Sequence, residues 1–211
     1  MTDDERWQQW REWFQTIFED VQGALINRTI FQEVRAMIDA NPKIQKHSSF
    51  YEWMANVYAD SGLMAVRRQL DTDTRSVSLA RLLKDIAEHP HVLLRDRFVA
   101  LYRWELQDVA HREFDREVGQ GAHHIDPRVV EADLEALRKA TAEIERYGTK
   151  RVAHLDAEGP TNVPTFGELE ATLELLRALL KKYMLLLRAV SYNDPEWTYD
   201  WKAIFREPWI P

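Results

Sequence analysis

The chain contains no cysteine, which removes disulfides, thiolate nucleophiles and thiolate metal ligands at once. Any metal site would have to be built from histidine, carboxylates and water. Glycine and proline are scarce, 7 and 8 among 211 residues, where an average protein carries roughly 12 % of the two together. Little turn material is left for many short strands, so an all-β sandwich or barrel is disfavoured. Long apolar runs are missing as well: near the C-terminus the longest, Tyr183 to Leu187, falls far short of the roughly 20 residues that cross a bilayer. The opening residues, Met1-Thr2-Asp3-Asp4-Glu5-Arg6, lack the basic and then apolar order of a signal peptide. No membrane contact is expected, and a cytoplasmic location is the default expectation. A positive overall charge is also absent. With 28 Lys and Arg against 35 Asp and Glu the net charge is −7, so a polyanion can be held only by a local basic patch.

What is present is helical periodicity and tryptophan. Hydrophobic residues make up 45 % of the chain and eight are Trp, enough for a real core. Trp7, Trp10, Phe14, Ile17, Val21 and Leu25 step by three or four, which predicts a helix from about Asp4 to Ile26. The pattern continues through Phe31, Val34, Met37 and Ile38 until Asn41-Pro42 stops it. Ser49-Phe50-Tyr51-Glu52 reads as a capping box that opens a helix with Phe50, Trp53, Met54, Val57 and Tyr58 facing inward. That helix runs through Gly62 to Asp71, where Arg67 and Asp71 are spaced for an i,i+4 pair. A short helix follows over Leu79 to Ile86, ending near His89-Pro90, and a further stripe lies between Val92 and Val118. Gly119 to Asp126 reads as a loop. Asp126-Pro127 is an N-cap with proline at the first helical position, opening a helix to about His154. A second capping box, Thr165-Phe166-Gly167-Glu168, starts the last helix, whose single stripe from Phe166 to Val190 marks it as a central core element. No stretch has a period of two and no internal repeat occurs.

These readings give an all-α, single-domain bundle of about six to seven helices spanning residues 1–211. Residues 4–40 form the N-terminal helices, 49–190 the main bundle and 191–211 an aromatic C-terminal cover. Six of the eight Trp lie at the two ends: Trp7, Trp10 and Trp13 at one, Trp197, Trp201 and Trp209 at the other. They serve either to cover the bundle or to contact a protein partner.

No phosphate-cradling glycine loop, nucleophile elbow or paired metal-binding helix motif occurs. No cofactor and no metal are therefore expected. His89-Pro90-His91 and His123-His124 with Asp126 each sit beside a helix break and read as surface or capping residues. The one concentrated basic stretch is Glu145 to Asp156. Within it Tyr147, Arg151 and His154, spaced by four and three, place a phenol, a guanidinium and an imidazole on one helix face. Arg146 and Lys150 add positive charge, and the negative end of the helix dipole favours a protonated His154. Such a face can bind a phosphodiester and assist its cleavage. Basic residues near a helix C-terminus also occur simply as dipole compensation.

Lys150-Arg151-Val152-Ala153-His154, followed by Leu155-Asp156 and a long loop, resembles the signature region of HEPN domains. The resemblance is to the abortive-infection, AbiU-like branch found in bacterial phage-defence proteins. Phe50 to Leu83, with Tyr58, Arg67-Arg68-Gln69-Leu70-Asp71 and Ser78-Leu79-Ala80-Arg81-Leu82-Leu83, is similar to the same branch, and the two together span roughly Phe50 to Val190.

The resemblance implies a homodimer in which two such helices face each other across a cleft. It further implies a metal-independent RNase site made by an Arg and a His separated by four to six residues, with His154 in the place of that His; Arg151, which shares its helix face, is the candidate catalytic partner of a rearranged site. Arg146, Tyr147, Lys150, Arg67 and Arg68 would then bind RNA. In the family pattern the Arg before His154 falls at 147, 148 or 149, where this sequence has Tyr147, Gly148 and Thr149. A rearranged site using Arg151 and a non-cleaving homodimer both fit that departure. So does a helical interaction module working through the Trp-rich termini.

Overall fold

The computed structural model describes residues 1–147, 165–193 and 199–208, without the side chains of 143 and 145–147. Among the described residues it is built from seven α-helices and no strands: α1 (Asp3–Asp39), α2 (Ser49–Leu70), α3 (Leu79–Glu88), α4 (Arg95–Val99), α5 (Gln107–Val118), α6 (Pro127–Tyr147) and α7 (Phe166–Arg188). Short 3-10 turns at Pro90–Val92, Trp104–Leu106 and Ala203–Arg206 complete the order. The helical bundle expected from the sequence is the fold.

The predicted N-terminal helix and its continuation are one unbroken rod of 37 residues, about 55 Å long at 1.5 Å per residue. Thr2 opens it with a reciprocal capping box to Glu5. Its first two-thirds carries the predicted stripe into the core: Trp7, Trp10, Phe14, Ile17, Val21 and Leu25 are all buried. Both α2 and α7 pack along it, and α3 packs on α6. The centre is α7. It is buried on one stripe from Leu169 to Leu180 and then on every side from Tyr183 to Leu187, which requires neighbours all round. Thr165 and Glu168 cap it reciprocally, as the sequence predicts.

Two predicted local features differ. The cap of α2 is Ser48, whose hydroxyl accepts from the Phe50 N–H, one residue ahead of the expected Ser49 box. Glu52 pairs with His47 instead, at 2.9 Å. The inward face predicted for the start of α2 is also wrong in part. Phe50, Trp53 and Val57 are about half exposed, Met54 is half-buried, and only Tyr58 is buried. Periodicity gives α2 an apolar face, but the bundle that should cover it ends at the level of Phe31 and Tyr58, whose rings stack at 4.2 Å.

The terminal tryptophans divide. Trp7 and Trp10 are core residues, and Trp13 lies under the Arg81 guanidinium at 4.1 Å from its ring. At the other end Trp201 meets Phe205 edge-on, Lys202 pairs with Glu33 of α1 at 2.8 Å, and Phe205 lies beside Val34 and Met37. This part of the C-terminal segment rests on the far end of α1. Trp197 and Trp209 lie outside the described residues.

Candidate functional site

The chain between α5 and α6 must turn sharply, and Gly119 and Gly121 make this possible with φ of 127° and 71°. Asp115, on the last turn of α5, organises the turn. Its backbone carbonyl accepts the Gly119 N–H and its carboxylate accepts the Gly121 N–H at 2.9 Å. The same carboxylate takes an Arg95 guanidinium nitrogen at 2.5 Å. These two contacts, the Arg95 bond first, hold the Asp115 carboxyl below the usual carboxylate range.

Arg95 does more than pair. Its Nε donates to the Ala122 carbonyl at 2.7 Å, a second nitrogen reaches the His111 carbonyl at 3.3 Å, and the guanidinium lies 4.8 Å from the Phe114 ring centroid. The far side of the loop is stitched to residues 93–95: the Arg95 N–H donates to the His123 carbonyl at 2.8 Å and the Ile125 N–H to the Leu93 carbonyl at 3.3 Å. Leu94 and His124 thereby form an isolated antiparallel bridge, and the Ile125 side chain is fully buried. Asp126 then caps α6 as predicted, accepting the Arg128 N–H and side chain, which keeps its carboxyl low.

The outcome is a loop bonded on both sides, with exposed chemistry. Arg116, on α5, is largely exposed and pairs with Glu117 at 2.9 Å. His123 and Arg128 stand in solvent, and the His124 ring nitrogen lies 2.8 Å from the Ile125 carbonyl. An exposed ion pair such as Arg116 with Glu117 contributes little and is readily exchanged for another anion.

Of the candidate site residues singled out from the sequence, Arg67 and Arg68 are the ones whose side chains are described. Arg146 and Tyr147 fall at the end of the described part of α6, with side chains outside the description; Lys150, Arg151 and His154 lie outside the described residues altogether. Arg68 is tied to α1 through Asp20 at 2.6 Å, beside Gln69, whose amide reaches the same carboxylate at 2.7 Å. The predicted Arg67–Asp71 pair does not form. Asp71 is already past the helix end in an extended conformation, and its carboxylate accepts from the Ser76 hydroxyl and the Asp73 N–H. Those two bonds keep the Asp71 carboxyl low, with Arg67 a minor contributor.

Among the described residues one trio has ligand atoms close enough to share a cation: Asp85, Glu88 and His89. Its Asp85 carboxylate is already engaged. Arg6 reaches one oxygen at 2.5 Å and the buried Trp10 indole N–H the other at 2.6 Å. Those two donors, both from α1, tie Asp85 across to that helix, and the trio reads as a joint between α1 and α3.

The family model HEPN_AbiU2, described as AbiU2, matches residues 10–205, all but the two ends of the chain. The chain belongs to this HEPN family. No curated protein and no solved structure matches it. Membership makes this an abortive-infection protein of HEPN type, and the matched residues include most of α1. It also sharpens the search for the Arg and His that the HEPN pattern separates by four to six residues. Arg116 and His123 have six residues between them. In the sequence His123 reads as a loop residue beside a helix break, and its spacing from Arg116 is the signal that marks the pair.

Proposed function

We propose that this HEPN chain acts on RNA as a metal-independent endoribonuclease in phage defence, with His123 as proton acceptor and Arg116 as the fixed cation. The observation that carries the reading is that Arg116 at the end of α5 and His123 in the bonded 119–125 loop after it are both exposed and have six residues between them. An imidazole takes up and returns a proton near neutral pH. Placed beside a ribose 2′-hydroxyl, His123 removes its proton as O2′ attacks the adjacent phosphorus and the P–O5′ bond breaks. The products are a 2′,3′-cyclic phosphate and a 5′-hydroxyl end, which takes the proton. The Arg116 guanidinium meets the charge that builds on the phosphoryl oxygens. Arg128, exposed beside the loop, supplies a further cation on a chain that is otherwise acidic. A homodimer would set two such loops around one strand.

A second placement of the same chemistry uses Arg151 and His154, with Arg146, Tyr147, Lys150, Arg67 and Arg68 around the RNA. Its support is the shared helix face of Tyr147, Arg151 and His154. The interaction-module alternative has less support, because Trp7 and Trp10 are core residues.

The test is cleavage of single-stranded RNA by the full chain in EDTA, with detection of the cyclic phosphate end. His123→Ala and Arg116→Ala are expected to lower the rate about 100-fold or more, with helical content unchanged. Loss in His154→Ala alone moves the site to the second placement. Wild-type protein without cleavage, or variants that all retain it, overturns the enzymatic reading.

A further inference from the structure

Two arginines meet between α1 and α7 without an acid. Arg11 lies on the third turn of α1 and Arg188 on the last turn of α7, and the Arg188 guanidinium crosses between the helices to donate to the Arg11 carbonyl at 2.8 Å. Neither side chain forms an ion pair among the described residues. Both are half-buried, and the Nε of each is shut away from solvent with no acceptor. Their outer nitrogens are not shut in this way. The place is also fixed. Tyr192, four residues beyond Arg188, packs edge-on against Phe18 at 5.7 Å, which clamps the end of α7 onto the same helix that carries Arg11.

The ordinary roles of an arginine do not account for the pair. A basic residue in the last turn of a helix usually serves the free carbonyls of its own helix, whereas Arg188 donates to α1. Arginines that span two helices elsewhere in the chain find carboxylates: Arg6 meets Asp85, Arg28 meets Glu174 and Arg68 meets Asp20. Here the acid that acts on Arg188 is Glu19, which is exposed and whose carboxylate accepts from the Gln15 amide at 2.7 Å. Burial first and the Arg11 charge second hold the Arg188 guanidinium below its ordinary value, with Glu19 acting the other way. Two like charges are thus held together with part of their hydration removed. That arrangement costs free energy until an anion supplies the missing acceptors.

We infer that Arg11 and Arg188 form a binding site for a dianionic phosphate, either inorganic or the terminal monoester of a nucleotide chain. Charge is the first reason: two guanidinium cations are matched by the roughly −1.5 to −2 of such a group, while a backbone diester brings a single charge. Geometry is the second. One guanidinium fork already satisfies both oxygens of a carboxylate, so two guanidiniums arriving from different helices call for an acceptor with more oxygens, set tetrahedrally. The chain as a whole carries −7, so the attraction has to come from the pair itself. The site shares no residue with Arg116 and His123 and requires no cleavage, so failure of either proposal leaves the other standing.

The experiment is calorimetric titration of the full chain with inorganic phosphate, at an ionic strength held constant with chloride. The wild type is expected to bind one phosphate at this site. Arg11→Gln is expected to weaken binding about 10-fold or more, the loss of one charge-assisted contact, with circular dichroism unchanged because the Arg11 side chain makes no hydrogen bond or ion pair within the fold. Arg188→Gln should weaken it similarly. Two short 2′-deoxy oligonucleotides, which cannot undergo attack by a 2′-hydroxyl, separate the sources. Displacement of phosphate by the 5′-phosphorylated strand but not by its 5′-hydroxyl counterpart identifies a nucleotide terminus; displacement by neither identifies the free anion. Equal displacement by both overturns the dianion assignment. A wild type that does not bind phosphate overturns the inference, and so does binding that survives both Arg11→Gln and Arg188→Gln.

Discussion

Arg95 at the head of α4 and Asp115 near the end of α5 are joined at 2.5 Å, and the loop bearing His123 hangs on that joint. Arg95 also donates to the Ala122 and His111 carbonyls from a largely buried position. Replacing it with Ala leaves those acceptors without their charged donor. The expected cost is about 2 kcal/mol, a fall in melting temperature of about 4–8 °C for a chain of this size. The amides of Gly121 and Ile125 should lose protection from hydrogen exchange first. The carboxyl of Asp115 sits below its usual range when folded. Its contribution is therefore complete above the unfolded value of about 3.9 and is lost as pH falls through the folded one, so acid should loosen this loop in the wild type.

Gly62 gives a prediction of sign. Alanine is a better helix former than glycine by about 1 kcal/mol, so Gly62→Ala ought to stabilise α2. A Cβ there would come within 2.9 Å of Leu169 Cδ2, in the buried contact between α2 and α7. Overpacking costs roughly 1–3 kcal/mol, and the net expectation is destabilisation by about 1 kcal/mol. Pairing the change with Leu169→Ala should make the two effects non-additive in a denaturation cycle.

Three tyrosines donate to carboxylates: Tyr58 to Glu170 at 2.8 Å, Tyr183 to Asp133 at 2.8 Å, and Tyr102 to Glu113. Burial first, then the neighbouring carboxylate, pushes each phenol above its ordinary value of 10.0. Their stabilisation is present below pH 10 and is lost as pH rises, because the unfolded phenols ionise while the folded ones keep their protons. Absorbance at 295 nm should show these three titrating only with the loss of helical signal, and Tyr102→Phe should remove one of them.

Trp10 and Arg6 share the Asp85 carboxylate, and Asp85→Ala would leave an indole N–H and a largely buried guanidinium without an acceptor. Removing one partner of a buried pair costs several kcal/mol, about 3 kcal/mol here. The less drastic Trp10→Phe should cost about 1–2 kcal/mol. Chemical denaturation of the two variants orders them.

Local signals in the sequence translated well into structure where the chain itself completes them. Asp126 before Pro127 and Thr165 with Glu168 each hold both partners within three residues, and both caps form. The tryptophan stripe of α1 likewise needs only the helical period. The misses share a cause. The expected Arg67–Asp71 pair assumes that the helix continues, while Asp71 lies beyond its end. The inward face assigned to Phe50, Trp53 and Val57 assumes that something stands opposite. Periodicity reports that a face is apolar, never what it meets. Arg95 was invisible for the same reason, since its acceptors lie 16 to 27 residues away. For the site, the spacing of Arg116 and His123 is countable from the sequence, while the bonds that tie the His123 loop to residues 93–95 and to Asp115 are legible only in the fold.

The unequal burial of α1 has a consequence for how the molecule comes apart. A single unbroken helix begins in the dry centre and ends in water, with Trp10 and Phe14 fully buried and nothing buried beyond Phe31. Its two ends therefore keep different clocks. Amides near Phe14 open only when the whole bundle opens, whereas those near Met37 open by unravelling of the last turns. The secondary structure is continuous, but the cooperative unit stops part-way along it.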